Sequence, residues 1–64
     1  MEKIYEVYLQ EHFQGEELVS FIKRKYEVPS ALDYLCVQFG YKDRQEAYDK
    51  NIIYFNPPLM NLED

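Results

Sequence analysis

A chain of 64 residues with 12 acidic and 7 basic side chains carries net charge −5. That length is one small domain, and the acid excess opposes general attraction to nucleic-acid backbones or anionic lipid. The single cysteine, Cys36, excludes a disulfide within the chain, and Gly15 and Gly40, the only two glycines, cannot build a phosphate-cradling loop.

His12 and Cys36 are the only soft ligands, so neither a metal nor another cofactor is expected. No stretch approaches the ~18 apolar residues of a membrane span. The first residues, Met1-Glu2-Lys3-Ile4-Tyr5, lack the basic and apolar regions of a secretory leader. With the lone cysteine, they point to a reducing, cytoplasmic setting. Seven tyrosines and four phenylalanines supply the apolar surface, and each buried ring removes about 150–250 Å² from water.

Residues 2–14 read as a first helix. At 100° per residue Ile4, Tyr5, Tyr8, Leu9, His12 and Phe13 fill one half of the wheel, with Val7 out of place. Gly15 is the expected stop. The competing assignment is a strand over 4–9, which is rich in strand formers. Residues 16–27 form a second helix. Its stripe is Leu18, Val19, Phe21, Ile22 and Tyr26, with Glu16 and Glu17 in the first turn and Lys23, Arg24 and Lys25 near the end. Pro29 disfavours helical geometry at Val28 and ends it.

Residues 29–39 form a third helix, opened by Ser30 with Asp33 three residues on and closed by Gly40. Ala31, Leu32, Leu35 and Phe39 make its core stripe. Tyr34, Cys36 and Val37 are apolar outside that stripe, which marks a helix that is central or covered by a partner. A fourth helix starts at Asp43, with Glu46 three residues on, and Ala47, Tyr48, Ile52 and Phe55 repeat at helical spacing. Residues 52–55 read alternatively as a short strand. Asn56-Pro57-Pro58 ends regular structure. The expectation is a compact all-α bundle of three to four short helices over 1–56 with an irregular Pro-containing tail over 57–64. A small α+β domain pairing 4–9 with 52–55 is the alternative.

No constellation suits an enzyme. General acid–base chemistry most often uses His, and His12 reads as a half-buried core residue at a helix end. Cys36 lies on an apolar helix without a neighbouring cation in sequence, which favours an inert thiol. Residues 16–40, with the sharp break at Val28-Pro29, resemble a helix-turn-helix in outline. Glu27, however, stands where a turn glycine is usual, and the would-be recognition helix over 30–40 carries Asp33 and no Lys or Arg. A nucleic-acid reading therefore falls on Lys23, Arg24 and Lys25, and nucleic acid is not the expected partner. A third reading is acidic mimicry of DNA by Glu2, Glu6, Glu11, Glu16 and Glu17. The leading expectation is a non-enzymatic protein-interaction module, a small regulator, inhibitor or adaptor with a protein partner or a second copy of itself. Its anchors are Tyr34 and Val37, extended by Tyr41, Tyr54, Leu59 and Met60, since Tyr combines large area with a polar tip.

Overall fold

Four helices and a 3-10 turn follow one another along residues 2–59, the part of the chain that the computed structural model describes, with side chains from residue 4 onward. They are α1 (Glu2–Glu11), α2 (Gly15–Tyr26), α3 (Ala31–Phe39), α4 (Arg44–Lys50) and the 3-10 turn Ile52–Tyr54. The domain is all-α. Among the described residues there is no strand, so the α+β alternative does not form. Its two candidate strands satisfy their backbone groups locally instead. Residues 4–9 lie inside α1, and Tyr54 and Phe55 donate their N–H groups to Asn51 O and Ile52 O at 3.0 and 3.1 Å.

Capping explains where α3 and α4 begin. Ser30 Oγ accepts from the Asp33 N–H at 3.3 Å. Asp43 Oδ1 accepts from the Glu46 N–H at 2.8 Å, and the Glu46 carboxylate reaches back to the Lys42 N–H. Gly40 closes α3 in the left-handed region at φ 76°. Glu27 closes α2 at φ 53°, so a residue with a Cβ takes the place of the usual turn glycine.

The core is continuous. Ile4 of α1, Leu18, Val19, Phe21 and Ile22 of α2, and Ala31, Leu32 and Leu35 of α3 are buried together with Ala47, Tyr54 and Phe55. Helix α3 packs on both α2 and α4, while α1 packs on the 3-10 turn. The central place expected for α3 is thus observed. The Cα radius of gyration, 10.1 Å, is that of one folded domain of this length, about 11 Å.

Several local expectations are corrected. In α1 the inward stripe is Ile4, Val7, Tyr8 and Glu11. Tyr5 and Leu9, read as core, stay 40% and 47% exposed, and Val7, read as misplaced, is half-buried. The helix is turned so that Tyr5 and Tyr8 both meet the Tyr54 ring. The centroids lie 5.5 and 6.3 Å away.

Helix α1 ends at Glu11, because His12 takes φ 63° and turns outward. His12 is therefore exposed and is no core residue; His is among the side chains that tolerate this region. Gly15 opens α2 and does not stop α1. Tyr26 lies at the rim of α2, outside the buried stripe. Ile52 faces solvent because the tighter 3-10 repeat of three residues per turn carries Asn51 and Tyr54 inward and leaves Ile52 and Ile53 outside.

Asn51 was not singled out by the sequence. It is fully buried, donates from Nδ2 to Ala47 O at 2.8 Å and Tyr41 Oη at 3.1 Å, and joins the end of α4 to the preceding loop.

Candidate protein-docking groove

The turn from α2 to α3 creates an apolar concavity on the surface. The chain leaves α2 through left-handed Glu27, runs through Val28 and Pro29, and re-enters helix at the Ser30 cap. That path lays Val28 and Pro29 beside the outward face of α3. Between them lies a groove of about 250 Å³ lined by Val28, Pro29, Asp33, Tyr34, Val37 and Gln38. This falls below the ~300–1,000 Å³ of small-molecule sites and suits one inserted side chain.

Two aromatic rings stiffen one wall. Tyr34 stacks on Tyr26 with centroids 4.2 Å apart and planes at 19°, and meets Phe39 edge-on at 6.2 Å. Burial, and secondarily the neighbouring Tyr26 hydroxyl, push the Tyr34 phenol up to about 12. Tyr34 therefore stays neutral across physiological pH. Val37, one turn further on, is 79% exposed and makes the outer lip.

The opposite rim is pinned by a two-pronged ion pair. Arg44 donates from Nε to Asp33 Oδ1 and from Nη2 to Asp33 Oδ2, both at 2.7 Å. The arrangement ties α4 to the first turn of α3. The Arg44 hydrogen bonds hold the Asp33 carboxyl below its ordinary value. Asp33 was read as half of a capping box with Ser30. It receives the cap from Ser30, and its own carboxylate serves α4. Cys36, half-buried on α3, has its thiol raised first by burial and then by Asp33, Asp43 and Glu46, against a smaller opposing effect of Arg44.

The residues grouped by sequence as one interaction patch separate in space. Tyr34 and Val37 share the groove. Tyr41 is half-buried and turns its hydroxyl to Asn51. Tyr54 is buried at 9% exposure under α1, so it offers no free surface, and Leu59 packs against the core. Met60 lies outside the described residues. The two ring contacts of Tyr34 make it a structural residue as well as a wall of the groove.

The alternative sets are also dispersed. Lys25 pairs with Glu11 at 3.0 Å and lies 5.1 Å from the Phe21 ring centre. Arg24 borders a separate hollow of about 310 Å³ together with Phe13, Glu16, Glu17 and Ser20, and Lys23 is half-buried. Glu6, Glu16 and Glu17 are exposed, whereas the Glu2 side chain lies outside the described region. Among the described residues no group of three His, Cys, Asp or Glu is placed to hold a metal ion, and no helix is long and apolar enough to cross a membrane.

Sequence reasoning missed Val28 and Pro29 as walls of the site. Their signal was present: an apolar dipeptide directly ahead of a Ser cap must border the face of the helix that follows. It also missed further exposed apolar residues, Tyr5 and Leu9 on α1 and Ile52 and Ile53 on the turn that α1 contacts. No protein-family profile, curated protein or solved structure matches the chain.

Proposed function

We propose that this chain is a non-enzymatic protein-interaction module, a small regulator, inhibitor or adaptor that seats an apolar side chain of a partner protein in the groove between Val28 and Val37. One observation carries the reading. Val37 stands 79% exposed at the lip of an apolar groove on the same helix whose Ala31, Leu32 and Leu35 are fully used in the core. Covering such surface gains about 25 cal/mol for each Å² removed from water. A wall of stacked aromatic rings is the kind of rigid anchor that interfaces favour. The lone, half-buried thiol supports a reducing, cytoplasmic setting for the module.

The test is an affinity capture from lysate of the encoding cells, with and without nuclease treatment, with the wild type and Val37→Asp in parallel. A stoichiometric protein, or the untagged chain itself, held by the wild type and lost from the variant supports docking through the groove. Equal capture by both would place the interface elsewhere. Capture that depends on nucleic acid would move the function to Lys23, Arg24 and Lys25.

A further inference from the structure

We infer that the groove's occupant is a basic–apolar segment of a partner protein, presenting one aliphatic side chain with a Lys or Arg within a few residues of it. This rests on the docking reading above and gives it a chemistry. The floor and lip (Val28, Pro29, the Tyr34 ring and Val37) contain no charge and take the aliphatic group. The one charged side chain that lines it is Asp33. From Ser30 to Tyr41 the chain carries Asp33 and no Lys or Arg. Glu27, beside Val28, is exposed. Asp43 and Glu46 lie close enough to α3 to oppose ionisation of Cys36. The cation on this side that acts against them is Arg44, and its guanidinium is already spread over both Asp33 oxygens.

Asp33 still has capacity. An ionised carboxylate offers about four acceptor positions. Arg44 occupies one on each oxygen, and the Asp33 side chain remains 44% exposed. A partner ammonium or guanidinium entering from the Pro29 side can hydrogen-bond it while its aliphatic neighbour fills the groove. With the whole chain at −5, encounter with a basic partner is also favoured over encounter with an acidic one. An acidic partner segment would meet Asp33 with like charge.

The experiment selects a phage-displayed library of random 12-residue peptides on the immobilised full chain at low salt. Winners are then measured as synthetic peptides against the wild type, Val37→Asp, and the paired charge variant Glu27→Gln with Asp33→Asn. The expected consensus is an aliphatic residue flanked by Lys or Arg. Affinity should fall about tenfold or more in Val37→Asp, as for an anchor contact. It should fall severalfold in the charge variant, with a weaker dependence on salt. Circular dichroism of each variant confirms that it is folded. Peptides that need Val37 but are neutral or acidic would overturn this inference and leave the docking reading standing. Peptides indifferent to Val37→Asp, or no enrichment at all, would overturn both.

Discussion

The two glycines provide a matched pair of perturbations that isolates one steric contact. Both have positive φ, 61° at Gly15 and 76° at Gly40. Alanine at either position therefore incurs the left-handed penalty of about 1–2 kcal/mol, partly offset by about 0.4–1 kcal/mol from stiffening the unfolded chain. At Gly40 nothing lies within 4 Å of the new Cβ, so the loss stays near 1 kcal/mol. At Gly15 the Cβ would sit 2.7 Å from Asn56 O and 2.8 Å from Asn56 C, both main-chain atoms. Ordinary contact begins at 3.4 Å, so the 56–57 strip must retreat by the difference, 0.7 Å.

Forcing atoms into a filled site of this kind costs about 1–3 kcal/mol more, which brings Gly15→Ala to about 2–4 kcal/mol in total. A domain of this size holds roughly 3–10 kcal/mol of stability, and each kcal/mol moves Tm by about 4–8 °C. Thermal unfolding followed by circular dichroism should thus show Gly40→Ala lower by about 4–8 °C and Gly15→Ala lower by roughly 10–25 °C. Equal shifts for the two variants would show that the segment at Asn56 is not seated against the start of α2, and would refute the steric argument.

Other expectations are simpler to state. Leu35→Asp places an unpaired charge at a position with no exposure and should abolish the cooperative melt; a near-native transition would remove Leu35 from the core. Tyr34 ionises late, with its phenol pushed up by burial to about 12 against the ordinary 10.0. Its folded value is raised, so its stabilisation is complete below pH 10 and disappears as pH rises toward 12. An ultraviolet titration should lose this late step in Tyr34→Phe. Cys36, with its raised thiol, should react with a disulfide reagent at mildly alkaline pH far more slowly in the native protein than in denaturant. Equal rates would contradict its half-buried setting.

Much of the architecture was legible because local signals agreed with one another. In α2 the Leu18, Val19, Phe21 and Ile22 stripe, the leading acids and the trailing bases all favour one helix with one buried face. Ser30, Gly40 and Asp43 act at the helix ends where their side-chain or backbone chemistry is needed. Where the pattern was ambiguous, tertiary neighbours decided. Tyr5, Leu9, Val7 and Tyr8 are all apolar, and a wheel cannot say which pair faces inward until the Tyr54 ring arrives from the far end of the chain. His12 and Gly15 exchanged expected roles because the left-handed turn falls three residues early, and composition does not locate such a turn. The groove was half visible. Tyr34 and Val37 follow from an all-apolar helix, but the grouping with Tyr41 and Tyr54 failed because sequence proximity says nothing about which rings turn inward.

On the proposed reading one apolar groove, and not apolar surface in general, binds the partner. Two exposed residues separate these cases: Val37, 79% exposed at the groove, and Ile53, 59% exposed on the 3-10 turn. The decisive measurement is calorimetric affinity of the captured partner for the wild type, Val37→Asp and Ile53→Asp. Loss of about tenfold or more for Val37→Asp, with Ile53→Asp unchanged, is the predicted result. An unchanged Val37→Asp with loss at Ile53→Asp would rule out the groove and transfer the interface to α1 and the 3-10 turn.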